Sequence, residues 1–385
     1  MTTNTQTQTF DALEAAKAIS EELCENSAYG EEAGQLAPAS VDALARSGML
    51  SLWRPESLGG HECDPVSYAQ AAEVVARADT AAAWLMHGVS ATWFDFRLAQ
   101  PAFVDEVLAS DSVPILGETF NKPMNAVATD GGYVVTGSTP FASGCKLADW
   151  IGHTAIADGR FLLVYHPREA LAIQEDWDSL GLRGTSSNTI VAEEVFVPSH
   201  RVIDLMAPVE RAAQFDGALY RMPEGIVAVA VAATGLGALR AALDATTDVA
   251  ERKTPFASTT TLKHRPLAQL QFGRSLAQYR AARAYLHTTV GQAFEQATRG
   301  DDFDLRQKAD LFLAYSHTQQ ECADAVRLLG KAVGTSSVYK GNPIERALRD
   351  ADVISHHAFG SEGRFASAAQ AYWELDVDFP PMAMD

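Results

Sequence analysis

The hydrophobic period of this chain switches from helical to extended and back again, and that order limits the folds open to it. Residues 10 to about 110 are rich in Ala, Glu and Leu and read as helices. One runs over 37–49, where Ser40 is placed to cap a helix that buries Val41, Leu44 and Met49. A second, more apolar helix covers 79–96. From about 111 to 205, short runs such as VPILGE, GYVVTGS, RFLLVYH and NTIVAEEVFVP are bounded by Gly, Asp and Pro, which is the pattern of strands. From about 222 long helices return. Leu267, Leu270, Leu276, Tyr279, Arg283, Leu286, Val290 and Phe294 make one apolar stripe, with a jump between Leu270 and Leu276, and 304–333 is a similar helix.

Length and composition allow two or three domains around one large core: 385 residues, 47% hydrophobic and 21% charged. No apolar run approaches the roughly 20 residues of a spanning helix, so no membrane partner is expected. The opening MTTNTQTQTF has neither a basic nor an apolar region and reads as a short disordered lead. Cys24, Cys63, Cys145 and Cys322 are scattered without a CxxC pair, as expected of free thiols in a cytoplasmic protein. The net charge of −19 argues against nucleic acid and anionic membranes as partners. No Walker loop and no strand-linked GxGxxG motif occurs.

Four motifs follow in order. Gly131-Gly132-Tyr133 leads to Gly137 and then to Ser143-Gly144 and Asp149-Trp150. Trp177 leads to Gly181-Leu182-Arg183-Gly184-Thr185, then Val195-Phe196-Val197-Pro198. Gly334-Thr335-Ser336-Ser337 precedes Pro343 and Arg346. Last comes Arg349-Asp350-Ala351, ending in His356-His357-Ala358. This series resembles the acyl-CoA dehydrogenase fold family over roughly residues 15 to 375. The resemblance implies an α+β multidomain chain: an N-terminal α-helical domain (1–110), a central β-barrel-like domain (111–210) and a C-terminal four-helix-bundle domain (211–385). Many dehydrogenases of that family carry their catalytic glutamate where this chain has Ala358. The members most similar to it are the two-component flavin-dependent monooxygenases, which act on phenols, indoles and related aromatics.

That resemblance implies the oxygenase component of such a system. Reduced FAD or FMN comes from a separate flavin reductase that uses NAD(P)H, O2 adds to form a C4a-hydroperoxyflavin, and an aromatic substrate is hydroxylated. A homotetramer or homodimer is expected. Ser143 and Gly144 are expected to meet the flavin ring near N5, Trp177 to lie near the ring or in the β-domain core, and Arg252 with the Gly334-Thr335-Ser336 turn to serve its phosphate and adenine end. His87, in the apolar run from Trp84 to Trp93, lies on the helix that walls the substrate pocket in this fold. Trp84, Trp93, Phe94 and Phe120 suit a flat aromatic, an indole ahead of a simple phenol.

The remaining histidines, His61, His153, His166, His200, His264, His287 and His317, show no ligand spacing, and no metal site is expected. Adjacent helical residues point about 100° apart, so only one of His356 and His357 can face the flavin. By the register of the Arg-Asp motif His357 is the catalytic candidate, a general base whose ordinary pKa of about 6.5 suits neutral pH, with His356 left for the substrate. Two rivals stand beside this reading. One is an acyl-CoA or nitroalkane-type dehydrogenase with a relocated base, Glu118 or Glu362, and the other is a non-catalytic binding subunit.

Overall fold

The computed structural model describes residues 10–207 and 211–384; most of the expected disordered lead and the expected boundary at 210 lie outside them. Among the described residues the chain begins with α1 (Ala12–Ala33), α2 (Pro38–Arg46), α3 (Pro65–Ala78), α4 (Thr80–Asp95) and α5 (Pro101–Val107). Seven strands follow: β1 (Leu116–Thr129), β2 (Gly132–Ala142), β3 (Trp150–Ala157), β4 (Arg160–Pro167), β5 (Ala172–Gln174), β6 (Asn188–Pro198) and β7 (Val202–Asp204). The chain then returns to helices α6 (Ala228–Arg252), α7 (Pro266–Arg299), α8 (Leu305–Val333), α9 (Pro343–Ser355) and α10 (Gly363–Tyr372).

The strands form one sheet in the order β5-β6-β2-β1-β3-β4-β7, with β1 and β3 parallel and the other pairs antiparallel. It bends over its own apolar cluster, which includes Val135, Ile151, Leu162 and Ile190, and its two edge strands are three residues long. The helices before and after the sheet share a second, larger core, in which Leu23, Tyr68 and Val89 meet Leu239, Leu286 and Leu311. Burial of each such side chain contributes about 1.5–3 kcal/mol.

Three local expectations change. Ser40 does not cap α2: Pro38 takes the first turn, because its missing N–H costs nothing there, and Ser40 is buried inside the helix with its hydroxyl unpartnered. The stripe on α7 is real at Tyr279, Leu286 and Val290, but Leu267 and Leu270 are 65% and 51% exposed. Leu270 lies nine residues before Tyr279, half a turn round the helix, and Ser275 and Ala282 complete the buried face instead. Finally, Glu224–Arg252 is long and apolar enough to cross a membrane, yet 89% of its most apolar stretch is buried inside the protein. It is the central core helix, small-residue-rich enough for α3, α8 and α9 to pack around it.

Inside the bent sheet, His153 and His166 stack at 5.0 Å between ring centres, with their Nε2 atoms 3.1 Å apart. Burial lowers His153 to a pKa of about 4, and burial reinforced by the neighbouring His153 lowers His166 to about 3. Both folded values lie below the unfolded value of about 6.5, so the stability they contribute is complete above that pH and is lost as pH falls toward 4. Each histidine steepens the loss by up to about 1.4 kcal/mol per pH unit. Urea unfolding at pH 7, 5.5 and 4.5 is therefore expected to show a steep acid loss that flattens in the H153L/H166L double variant. An equal slope in that variant would rule out the pair as its origin.

Candidate functional site

The site is assembled on α4. Asp79 caps this helix by accepting from the Ala81 N–H, and Arg346 of α9 donates to the same carboxylate at 2.7 Å. One turn in, Trp84 donates its indole N–H to Ser143 Oγ at 3.1 Å. Ser143 follows the end of β2, and its hydroxyl continues a chain to Ser187 (2.8 Å) and Thr185 (2.7 Å). Gly144 has φ +74°, which suits glycine, and a Cβ there would press within 2.8 Å of Leu85. Its N–H donates to the Thr185 carbonyl at 2.7 Å, so the Ser143 and Thr185 turns are tied together against α4.

The Arg-Asp motif on α9 positions the other half. Asp350 is buried and accepts from Thr80 Oγ1 at 2.5 Å and from the Leu182 N–H at 2.7 Å. Arg349 donates to Glu31 (2.7 Å), Glu345 (2.7 Å) and the Leu180 carbonyl (3.0 Å). Gly181 is packed against the Arg349–Asp350 backbone so closely that any Cβ would collide with it. Two motifs far apart in sequence thus form one joint between α9, α4 and the loop before β6. That joint directs the end of α9 at Trp84.

His357 is the imidazole that arrives there. Its ring lies 5.5 Å from Trp84 and 6.4 Å from His87, both edge-to-face, and 5.8 Å from Phe359. His87 is 5.7 Å from Trp84. His356 turns away to solvent and bonds the Asp352 carbonyl through Nδ1 at 2.8 Å. The question of which imidazole faces inward is settled by the end of the helix, and the substrate contact expected of His356 has no geometric support.

Burial lowers His357 to a pKa of about 4, and burial together with the nearby His357 lowers His87 to about 3. The value of about 6.5 expected for His357 is therefore corrected downward, because desolvation penalises the imidazolium. Both rings are neutral at neutral pH. His357 Nδ1 is buried without a hydrogen-bond partner, which is the condition expected where a bound group completes the site.

The other expected residues divide. Trp177 packs with Trp84, Leu182 and Ile354, donates its indole N–H to the Leu182 carbonyl and stands edge-on to Phe141 at 6.0 Å. Trp93 does not line the cluster: it is nine residues from Trp84, on the opposite side of α4, and is fully buried beside Phe96. Phe94 is core beside Trp53, and Phe120 is 46% exposed on β1. Arg252 is an exposed helix-end cation paired with Asp248 at 3.6 Å. Its neighbour Lys253 is the cation at the Gly334-Thr335-Ser336 turn, donating to Val333 O (2.6 Å), Ser336 Oγ (2.9 Å) and Thr335 Oγ1 (3.4 Å). Glu118 is hydrogen-bonded to Tyr165 and raised to about 7 by burial, and Glu362 is exposed. Ser187, Lys253 and Phe359 were not singled out from the sequence, and Thr185 was named only as the last residue of the motif that begins at Gly181.

Residues 5–96 match the acyl-CoA dehydrogenase N-terminal domain and residues 229–362 the acyl-CoA dehydrogenase C-terminal domain. An indole-3-acetate monooxygenase of Pseudomonas putida is 27% identical over 86% of this chain and 86% of its own. The oxygenase component of an FADH(2)-dependent resorcinol hydroxylase from Rhizobium sp. is 30% identical, over 87% of each chain. This chain belongs to the flavin-dependent monooxygenases of the acyl-CoA dehydrogenase family. Its fold matches that of XiaF from Streptomyces sp. in complex with FADH2 and glycerol, with a TM-score of 0.90, 24% identity and 96% of both chains covered. In a flavin-dependent family member the groups around Ser143 and His357 fit the cofactor's ring: a hydroxyl chain, a glycine turn without a Cβ, two aromatic indoles and an unpartnered buried nitrogen.

Proposed function

We propose that this monooxygenase inserts one oxygen atom into an aromatic ring of the indole or phenol class. The observation that carries the reading is the His357–Trp84–His87 cluster, which holds neutral imidazoles and has Ala358 where a dehydrogenase of this family would carry its carboxylate. When bound, reduced flavin supplies the electrons that activate dioxygen. Ser143, held by Trp84 and Ser187, offers a hydroxyl to the ring edge, and Gly144 and Trp177 bound the slot. Lys253, Thr335 and Ser336 are the cation and hydroxyls for the phosphates. His357, uncharged at neutral pH, accepts a hydrogen bond at Nδ1 from the O–H or N–H of the substrate, which raises electron density on the attacked ring. A hydrogen bond to the developing charge contributes about 1.5–3 kcal/mol. Trp84 and Phe359 keep water from the ring.

The flavin is reduced FAD in the Rhizobium relative, so FADH2 is placed ahead of FMNH2 here. A separate flavin reductase using NAD(P)H supplies it, in a cytoplasmic setting that suits the four free thiols. Leu267, Leu270, Val338, Tyr339 and Trp373 are more than half exposed and suit burial against further copies in a homodimer or homotetramer.

The decisive experiment combines the purified protein with a flavin reductase, NADH and a panel of phenols and indoles. A product heavier by one oxygen atom is expected. Anaerobic bleaching of a tightly bound flavin by an acyl-CoA, with no oxygenated product, would replace this reading with the dehydrogenase one.

A further inference from the structure

α9 ends at Ser355, and the chain reaches α10 at Gly363 through the irregular residues 356–362, which include His357. Nδ1 of the His357 ring is unpartnered, so the ring's place depends on its backbone and on packing against Trp84, His87 and Phe359. Two local bonds hold that backbone: the His357 N–H donates to the Ile354 carbonyl at 3.1 Å, and the Gly360 N–H to the His357 carbonyl at 3.0 Å. Gln320 of α8 supplies the tie from outside. Its amide donates to the Ser355 carbonyl at 2.9 Å and to the Gly360 carbonyl at 3.2 Å. Among the described residues, the other hydrogen bonds of 356–362 stay within the segment or run to α9 and α10.

Both partners of Gln320 are carbonyl oxygens, so its NH2 group must face them, and each of the two hydrogens has one acceptor. The Ser355 carbonyl is among the last four of α9, which find no partner inside the helix. One planar group thus joins the end of α9 to the far side of the turn that carries His357. The turn also sits directly on α8, where a Cβ on Gly360 would run into the Gln319 side chain.

We propose that Gln320 is the positioning residue of His357, its amide holding the end of α9 to Gly360 so that the imidazole stays edge-on to Trp84 and out of water. What His357 does in the reaction rests on the hydroxylase reading, whereas the tie itself does not. Without the amide two carbonyls lose their donors, and water that replaces it opens the turn. A displacement of about 1 Å at a reacting centre can cost on the order of 10²-fold in rate.

NMR titration of the histidine ring protons in the flavin-free protein reads the imidazole directly, with the His357 signal assigned by its loss in H357A. Burial holds His357 at about 4, so its wild-type signal is expected to stay still from pH 7.5 to 5. His87, the titratable group facing it from α4, lies lower at about 3 and stays neutral over that range, and His356 points to solvent. Gln320→Met, similar in volume but without a donor, is expected to raise the ring's proton affinity roughly tenfold or more, because a released imidazole regains water. Its signal then moves within the same range, and the peroxide released per NADH consumed rises. Q320K keeps N–H donors, and its ring signal is expected to stay still, since the added charge opposes the imidazolium. A His357 that stays still in Q320M overturns the proposal even where the unfolding midpoint falls, because a merely structural tie would lower stability alone. A signal that moves equally in Q320K overturns it as well. If Q320M does not fold, the Q320K titration decides: a still signal supports the tie and a moving one removes it. A moving signal in Q320M beside an H357A enzyme coupled like wild type defeats the assigned role of His357 and leaves the tie standing. An uncoupled H357A with a still signal in Q320M does the reverse.

Discussion

Replacing His357 by alanine is expected to lower aromatic hydroxylation by roughly 10–100-fold and to raise the hydrogen peroxide released per NADH consumed. The size follows from what the ring does: it holds the neutral nitrogen placed against Trp84 and His87, and Ala358 beside it cannot substitute. Burial keeps its pKa near 4 rather than 6.5, so the ring is unprotonated across the neutral range. A lowered pKa moves the acid limb of the rate profile downward. The wild-type rate is expected to hold from pH 8 toward pH 5 and to fall only as protonation begins below that. The asparagine variant, which keeps hydrogen-bonding capacity but does not titrate, should lose that limb. An H357A enzyme with the coupling of wild type would remove His357 from the chemistry.

The second large effect lies away from the imidazoles. Asp350→Ala is expected to lower stability by about 3–5 kcal/mol, measured by urea unfolding. Asp350 satisfies the Leu182 N–H and the Thr80 hydroxyl and sits 3.6 Å from Arg346, all in a buried joint. Removal leaves those donors unmatched and weakens the neutralisation of the guanidinium. The asparagine variant retains part of the hydrogen bonding and should lose less. Because the joint directs the end of α9 at Trp84, D350N is also expected to release more peroxide per NADH even where it remains folded. A D350A protein as stable as wild type would contradict the reading of this joint.

Much of the architecture was legible because it depends on period and spacing. The helix over 79–96 was legible from its apolar run, and α4 occupies Thr80–Asp95 with Asp79 as the cap that the structure adds. The helix beginning near 304 has a capping box between Asp304 and Gln307. Errors arose where a residue type was read without its angular position. Leu270 and Trp93 each lie half a turn from the face they were assigned to, which 100° per residue would have revealed. The apolar Glu224–Arg252 segment was passed over as a spanning candidate, and only its packing shows that its apolar surface faces other helices. At the cofactor end, Arg252 drew notice over Lys253, because one residue of helix rotation decides which cation reaches the Gly334 turn.

The sequence by itself determined the order of helices and strands, the family, the absence of a glutamate at position 358, and that at most one of two adjacent imidazoles could face the site. These are properties of neighbouring residues on one strand or helix, where geometry is local and repeating. The tertiary structure decided that His357 is the one turned toward Trp84, that its imidazole is held neutral by burial, and that Ser143 is tied to Trp84 and Ser187. It also decided that the Gly181 and Asp350 motifs are a single joint. Each of those depends on groups from different elements meeting in a desolvated interior, and hydrogen-bond partners and pKa values there are set by what lies across the gap.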